Sequence, residues 1–304
     1  MPELPEVETI KKGLEKTIVG KQIRSVRVKL GKIISLGPRT VSNHRRINQK
    51  KLIEFQKTLA GQKILKADRR AKMLILDLSG PYSLLIHLKM TGQLIFARKG
   101  ERKKVKIFNA ANSIQEFLPH KYTHVIFEFT NGDKLFYNDL RQFGYMRLVK
   151  DSDVASVREL SEYGPEPFAP EFTLDYLVKR GGRRPKLSIK QYLMDSKVVA
   201  GIGNIYSDEI LYWSKIRPER TLQSLNRKDW QAIFRNIPIV LRRVLHAHGS
   251  SVGDFFRIDG SEGRFGREHM VYGRYGEKCK KCSSIVKSVK LGGRTSSYCP
   301  KCQK

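Results

Sequence analysis

Residues 279–302 read CKKCSSIVKSVKLGGRTSSYCPKC and contain all four cysteines of the 304-residue chain. Two C-x2-C pairs, Cys279 with Cys282 and Cys299 with Cys302, are separated by sixteen residues. Each pair can place two thiolates on one knuckle, and two knuckles complete a tetrahedron of the kind that Zn²⁺ prefers. Four thiolates leave no open coordination position, so the spacing predicts one structural zinc ion per chain and a β-hairpin over 283–298. Two disulfides, or unpaired buried cysteines, are the alternative interpretation.

The rest of the chain is strongly basic. It carries 59 Lys and Arg residues against 29 Asp and Glu residues, which gives a net charge of +30. An excess of this size favours a polyanionic partner, with nucleic acid ahead of an anionic membrane surface. Because the charge is spread along the chain, it argues against a simple basic arm. No apolar run approaches the length of about 18 residues that spans a bilayer, and the N-terminal region lacks the apolar core of a secretory signal. Since the cysteines are confined to one tail, we expect a reducing compartment and a cytoplasmic protein.

Hydrophobic periodicity predicts an α+β protein. Apolar residues recur at helical spacing over 5–18. Short alternating or apolar runs then follow at 26–30, 73–78, 84–88 and 125–137. Asn131-Gly132-Asp133 lies within the last run and is a hairpin signal. We therefore expect an N-terminal helix plus an antiparallel β-sandwich.

Helical patterns dominate the second half of the chain. They predict helices over 173–180, 187–196, 204–214 and 227–247. The resulting organisation is a β-sandwich domain over 1–150, a proline-containing linker over 151–172, a helical domain over 173–271 and a zinc finger over 272–304. The basic stretches 31–50 and 98–121 are interpreted as irregular excursions from the sandwich.

A glycine-rich turn separates two of the predicted helices. Gly201-Ile202-Gly203-Asn204 lacks the third glycine and the preceding strand of a dinucleotide-binding fingerprint. It is instead typical of a tight helix–helix turn, with Asn204 as the cap of the second helix. Such a turn exposes backbone N–H groups to an anion. A plain connecting turn is the equally weighted alternative.

The N-terminus, Met1-Pro2-Glu3-Leu4-Pro5-Glu6, is unusual. Removal of Met1 would leave Pro2 with a free secondary amine, and an α-amino group has a pKa of about 7.7–8.0. Such an amine is partly unprotonated at neutral pH, and its attack on an aldehyde-level carbon gives an iminium. Glu3 beside it could transfer protons. The alternative is an ordinary chain start whose glutamates decorate a helix.

Five ordered motifs together resemble the bacterial formamidopyrimidine-DNA glycosylases, which excise oxidised purines. They are PELPEVET at 2–9, RRAK at 69–72, HLKMTG at 87–92, the segment from MD at 194–195 through VAGIGNIY at 199–206, and VYGR at 271–274. The resemblance covers essentially the whole chain. It implies a helix–two-turn–helix domain in the second half, a bifunctional glycosylase and AP lyase of base-excision repair, and no cofactor beyond structural zinc.

The resemblance also implies roles for matching residues. Pro2 is implied as the nucleophile that attacks C1′, Glu3 as the acid/base for sugar-ring opening, and Glu6 as its support. Lys72 and Arg294 match residues that contact DNA and assist catalysis. Further expected DNA contacts are Met90, Tyr122, Arg141, Phe143, Lys186 and Asn204. Of these, Met90, Arg141 and Phe143 match the side chains that fill the gap left by a flipped base.

Departures from the family pattern bear on substrate choice. Gln142 replaces an arginine of the wedge motif, and Tyr122 stands where a DNA-contacting histidine is common. The base-recognition loop, 259–265, ends Glu262-Gly263-Arg264-Phe265 where Pro-Gly-Tyr-Phe is usual. These changes affect the expected lesion preference more than the expected catalysis.

The partner expected from the resemblance is damaged double-stranded DNA. The protein is expected to act as a monomer near the bacterial nucleoid, with neither a membrane nor a small-molecule cofactor. One alternative is an endonuclease VIII-like glycosylase for oxidised pyrimidines, which Leu4 disfavours because those enzymes usually have glycine there. The other is a non-catalytic zinc-finger DNA-binding protein.

Overall fold

The computed structural model describes residues 1–39, 49–109, 112–251, 253 and 255–304. The chain divides into two compact units. The N-terminal unit comprises Met1–Ser161 with His248–Gly263, and the C-terminal unit comprises Glu162–Ala247 with Arg264–Lys304. Residues 248–263, which the sequence places in the region 173–271, thus make their contacts with the N-terminal unit. The bounds of the four predicted segments stay predictions.

The N-terminal unit combines helices with two larger sheets and one hairpin. Its elements are α1 (Leu4–Thr17), β1 (Ile23–Val28), β2 (Ile34–Leu36), α2 (Gln49–Leu59), β3 (Ile64–Arg70), β4 (Met73–Leu78), β5 (Tyr82–His87), β6 (Gly92–Ala97), β7 (Lys104–Asn109), β8 (Asn112–Phe117), β9 (Thr123–Phe129), β10 (Lys134–Asp139), β11 (Tyr145–Lys150) and α3 (Arg158–Ser161). A 3₁₀ turn covers Gly31–Ile33, and another covers Asp151–Ser156 in the predicted linker.

The two larger sheets share one apolar core. One sheet has the order β1-β9-β10-β6 and is antiparallel throughout. The other has the order β2-β11-β5-β4-β3 and is antiparallel except for the β2–β11 pair, which is parallel. Both sheets, α1 and α2 contribute to a single cluster of buried side chains, as Val26, Phe55, Leu76 and Phe127 illustrate. The α+β class and the β-sandwich are confirmed.

The predicted first helix is confirmed to within one residue. Val7, Ile10 and Leu14 follow at helical spacing and are buried against the sheets, as an amphipathic helix requires. Pro5 lies in the first turn, where its missing N–H leaves no helical hydrogen bond unmade.

The two basic stretches are more regular than predicted. Within 31–50, β2 forms and α2 begins; residues 40–48 lie outside the described part of the chain. Within 98–121, β7 and β8 pair as an antiparallel hairpin. In β7 the buried Val105 and Ile107 alternate with lysines, so the strand period is present there despite the charge.

The C-terminal unit is a set of helices followed by a small hairpin. Its elements are α4 (Leu174–Gly181), α5 (Ile189–Met194), α6 (Asn204–Trp213), α7 (Arg227–His246), β12 (Lys287–Leu291) and β13 (Arg294–Tyr298). Three of these helices begin at a capping side chain, namely Thr173, Ser188 or Asn226. The four predicted helices and the predicted hairpin within 283–298 are therefore confirmed.

No helix among the described residues is both long enough and apolar enough to cross a membrane.

Candidate active site and nucleic-acid interface

The start of the chain is held in place by a buried carboxylate. Glu3 and Glu6 are each 1% exposed, and Pro2 is buried beside them. Glu6 Oε2 accepts the backbone N–H of Glu3 at 2.9 Å, while Glu6 Oε1 accepts the N–H of Ser250 at 2.9 Å. One side chain therefore connects the first residues to a segment more than 240 residues away. This contact fixes the backbone next to Pro2, the residue that the family resemblance implies as the nucleophile.

Gly249 permits the close approach of that segment. Its φ is +91°, a region that favours glycine. A Cβ atom there would lie 2.7 Å from Cε1 of Phe255 and 3.2 Å from Oε1 of Glu6. A larger residue would therefore disturb the Glu6–Ser250 hydrogen bond.

Lys72 lies on the turn between two strands that pack beside α1. Arg70 and Met73 are paired across β3 and β4, so Ala71 and Lys72 form a two-residue turn. Ala71 adopts a positive φ of 54°, and Lys72 is half-buried. The preceding Arg69 donates from Nε to Glu8 of α1 at 2.7 Å. This ion pair joins the strand that leads to Lys72 to the helix that follows Pro2.

The loop after β10 presents two of the expected wedge residues. Arg141 and Phe143 are exposed, and the guanidinium carbon of Arg141 lies 4.7 Å from the centre of the Phe143 ring. Gln142 between them has a φ of +57°. The half-buried Met90 lies on another loop, whose next residue, Thr91, accepts the N–H of Arg141 at 2.9 Å. The structure thus brings the Met90 loop and the Arg141–Phe143 loop together.

Asp139 organises this pair of loops, a role that no local sequence pattern indicates. Its buried carboxylate accepts the Thr91 hydroxyl, the N–H of Arg141 at 3.2 Å and the N–H of Gly144 at 2.8 Å. The Tyr137 hydroxyl also donates to it at 3.3 Å. Burial, followed by the nearby Asp139, raises the pKa of Tyr137 well above its usual value, so the phenol remains a donor.

Tyr122 lies behind the same loop. Its backbone carbonyl accepts the N–H of Asp139 at 3.0 Å, and its half-buried ring lies 5.1 Å from the ammonium of Lys121. His124 Nε2 lies 2.8 Å from the Asp139 carbonyl oxygen. Burial lowers the pKa of His124, which favours the neutral ring at physiological pH.

In the C-terminal unit, Asn204 lies against the tip of the finger hairpin. Its Nδ2 donates to the Thr295 carbonyl at 3.1 Å, next to the exposed Arg294. An amide nitrogen has two hydrogens, so one remains for another acceptor. The predicted helix–helix turn is confirmed, but the predicted cap is wrong. Gly203, in an extended conformation, is the N-cap of α6, and Asn204 is the first helical residue. The Asn204 side chain donates to the finger hairpin instead of capping the helix.

Lys186 is exposed just before α5, whereas Lys190 on that helix is buried. Lys190 Nζ donates to Asp208 Oδ1 at 2.6 Å and to the Asn204 carbonyl at 2.8 Å. Asp208 in turn accepts the Ser296 hydroxyl and the Ser297 N–H, the latter at 2.9 Å. A buried ion pair thereby joins α5, α6 and β13.

Glu209 anchors the chain that leads into the finger. Its fully buried carboxylate accepts the backbone N–H groups of Met270, Val271 and Tyr272 at 2.9–3.1 Å. Asp208 and Glu209 were missed by sequence reasoning. The sequence pattern that could have revealed them is an acidic pair within the largely apolar helix NIYSDEILYW. Charged residues buried in such a helix need hydrogen-bonding or ionic partners.

The four cysteines converge as the spacing predicts. Their Sγ atoms all lie within 4.8 Å of one another, with 3.4 Å between Cys282 and Cys299 and 4.0 Å between Cys279 and Cys302. Sulfurs 2.3 Å from a tetrahedral Zn²⁺ would lie about 3.8 Å apart, whereas a disulfide needs about 2.05 Å. Backbone N–H groups of Lys281 and Cys302 point to two of the sulfurs. The arrangement fits a closed structural zinc site, and all four cysteines are free thiols.

Comparison with known proteins identifies this architecture. The models for the formamidopyrimidine-DNA glycosylase N-terminal domain, the H2TH domain of the same enzymes and the zinc finger found in FPG and IleRS match residues 1–146, 163–255 and 276–304. The chain belongs to the formamidopyrimidine-DNA glycosylase family. It is therefore a DNA glycosylase of base-excision repair with the AP lyase activity of that family, and it binds DNA through a fold that includes a zinc finger.

Relatives match over their full length. The chain is 36% identical to the formamidopyrimidine-DNA glycosylase of Pelotomaculum thermopropionicum, covering 100% of this chain and 99% of that one. It is 37% identical to the Bacillus licheniformis protein, with full coverage of both. The structure of Lactococcus lactis Fpg with abasic-site DNA matches with a TM-score of 0.83 at 30% identity, covering 99% of each chain.

Proposed function

We propose that this enzyme excises oxidised purines, 8-oxoguanine and formamidopyrimidines, from duplex DNA and then nicks the strand through a Schiff base on Pro2. Family membership supports the reaction class, and a structure of the Lactococcus lactis enzyme with formamidopyrimidine-containing DNA supports the lesion class. Within this chain, the observation that carries the proposal is the Glu6 carboxylate that holds both the Glu3 and Ser250 backbones. It positions the residue that becomes the N-terminus once Met1 is removed.

The proposed chemistry begins with an unprotonated Pro2 amine. Its nitrogen attacks C1′ of the flipped nucleotide, the bond from C1′ to the base breaks, and the proton that the amine loses goes to the departing base. Glu3 protonates the ring oxygen of the sugar as the ring opens, which leaves an iminium between Pro2 and C1′. The iminium acidifies the C2′ proton, so that proton and the 3′ phosphate leave by β-elimination. A second elimination releases the 5′ phosphate, and water then hydrolyses the adduct.

The remaining site residues are assigned to DNA. Arg141, Phe143 and Met90 fill the gap left by the flipped base, and their linked loops fit that task. Lys72, Arg294, Asn204, Lys186 and Tyr122 contact the DNA backbone, with Lys72 and Arg294 also assisting elimination. Such contacts carry affinity rather than sequence readout. Cys279, Cys282, Cys299 and Cys302 hold one Zn²⁺, whose chemistry is structural. The enzyme acts as a monomer.

Borohydride trapping tests the proposal. A duplex with 8-oxoguanine opposite cytosine is incubated with enzyme and reductant, and the adduct is mapped by peptide mass. We expect the adduct on Pro2, and an extra residue ahead of Pro2 should abolish nicking while sparing duplex binding. An adduct on Lys72 would contradict the Pro2 assignment. Faster excision of oxidised pyrimidines would favour the endonuclease VIII-like alternative, and binding without any cleavage would favour a non-catalytic protein.

A further inference from the structure

The β7–β8 hairpin has no task in the proposed function. It lies within the basic stretch 98–121 and pairs Lys104–Asn109 with Asn112–Phe117. In the part of the chain that the structure describes, the hairpin forms a sheet of its own, separate from the two larger sheets. Its other contacts therefore decide what it does.

One face of the hairpin packs beneath residues 255–262. Val105 is 4% exposed and forms a small buried cluster with Ile95 and Phe256. Next to this cluster, Phe96 donates its backbone N–H to the Ile258 carbonyl at 2.8 Å. The hairpin and β6 thus both contact residues within 255–262.

An ion pair also joins the hairpin to residues 255–262. Lys106 Nζ lies 2.7 Å from Glu262 Oε1, and the two side chains are 42% and 45% exposed. Between these contacts, a Cβ atom on Gly260 would meet Lys103 Cε at 3.6 Å. The hairpin therefore contacts the loop through burial of Phe256 and through an ion pair with Glu262.

We propose that the β7–β8 hairpin positions the loop 255–262 and thereby sets how well the enzyme recognises the flipped base. This inference rests on the proposed function and on the family resemblance, which implies that residues 259–265, overlapping this loop, recognise the flipped base. Val105 and Lys106 act as positioning residues: they touch the loop rather than the DNA. A loop that closes over a base must be ordered for that step, and contacts that order it beforehand lower the cost of closing.

Lys104 provides a matched control for the possibility that the charge of Lys106 contacts DNA directly. Lys104 carries the same charge as Lys106 on the same strand, but its ammonium lies 5.6 Å from the ring centre of the exposed Phe117. Arg102 lies over the same ring at 4.6 Å. Loss of Lys104 therefore removes one positive charge from the hairpin without removing a contact to the loop.

The test compares two reactions of the full-length, zinc-loaded enzyme. Single-turnover excision of 8-oxoguanine needs base recognition, whereas nicking of a duplex with a preformed abasic site does not. Lys106→Ala should lower the first rate by about two- to fivefold, the range expected for one exposed ion pair. Val105→Ala should lower it by about tenfold, because burial contributes more. Both variants should leave abasic nicking unchanged, and Lys104→Ala should leave the ratio of the two rates unchanged.

A charge swap provides the rescue. Lys106→Glu should speed amide exchange of residues 255–262 in the DNA-free protein more than Lys106→Ala does, and adding Glu262→Lys should restore most of the protection by rebuilding the ion pair in reverse. Amide hydrogen exchange of the DNA-free protein gives a readout that is independent of catalysis: residues 255–262 should exchange faster in Lys106→Ala and Val105→Ala than in Val26→Ala, a matched buried valine in β1.

Three outcomes would overturn the inference. They are equal losses in excision and abasic nicking, no recovery on charge reversal, and unchanged exchange in the loop. Failure of the proposed function looks different, since the wild-type enzyme itself would then not excise 8-oxoguanine.

Discussion

Lys190→Met tests whether the buried ion pair holds the C-terminal unit together. Lys190 and Asp208 are 0% and 1% exposed, and Asp208 also accepts hydrogen bonds from Ser296 and Ser297 of β13. Methionine retains the apolar stem of lysine but leaves the carboxylate buried without its cation. Breaking such a pair costs about 3–5 kcal/mol of unfolding free energy. That is a large fraction of the stability of a typical domain, about 5–15 kcal/mol.

Tryptophan fluorescence provides the assay. Both tryptophans of the chain, Trp213 and Trp230, lie in the C-terminal unit, so urea unfolding followed by their emission reports on that unit. Lys179→Met removes an exposed lysine of α4 and should change the free energy of unfolding by less than about 0.5 kcal/mol. Adding Asp208→Asn to Lys190→Met should recover part of the loss, because the uncompensated charge is removed. If Lys190→Met behaved like Lys179→Met, the ion pair would have no such structural role.

Three further predictions concern zinc, DNA and pH. Cys299→Ser should release about one zinc ion per chain and weaken duplex binding, because a small finger depends on its metal to fold; metal analysis that finds no zinc in the pure wild-type protein would refute this. Arg294→Ala should reduce the slope of the logarithm of the DNA association constant against log salt by about one unit, for damaged and undamaged duplexes alike. Fluorescence anisotropy measures this slope, and a change confined to damaged DNA would contradict the assignment of Arg294 to a phosphate contact. Below a pH of about 6.5, the free energy of unfolding should fall by up to about 1.4 kcal/mol per pH unit for each buried histidine. The reason is that a histidine in the unfolded chain binds a proton at this pH, whereas the buried histidine stays neutral. Burial lowers the pKa of the residues concerned, His87, His120 and His124. His87→Gln should flatten that dependence in urea titrations across pH 5–7, and an unchanged slope would contradict it.

Local signals carried most of what the sequence predicted correctly. The zinc finger could be predicted from its two C-x2-C pairs, and the helices from apolar periodicity and capping side chains. Each of these signals involves residues that are close together in the sequence. The hairpin β7–β8 was the exception, because its buried Val105 and Ile107 alternate with lysines that made the stretch look like a solvated excursion. The alternation of a strand is present in this sequence, but the high content of basic residues led to the interpretation of an irregular stretch.

Long-range contacts could not be predicted. Thr91 and Asp139 are 48 residues apart in sequence, and Glu6 and Ser250 are 244 apart. Nothing in the residues near Asp139 shows that its carboxylate binds two loops, because that depends on how β6 and β10 pair. The resemblance to a family supplied the candidate side chains, whereas the residues that position them became apparent only in the fold.

The most direct test of the account is the position of the covalent adduct. Enzyme with Met1 removed is reacted with an 8-oxoguanine duplex in the presence of borohydride, digested, and analysed by tandem mass spectrometry. The account predicts one reduced adduct, located on the nitrogen of Pro2, and its loss when one residue is added ahead of Pro2. An adduct that maps to Lys72 or any other lysine, or trapping that survives the added residue, would contradict it.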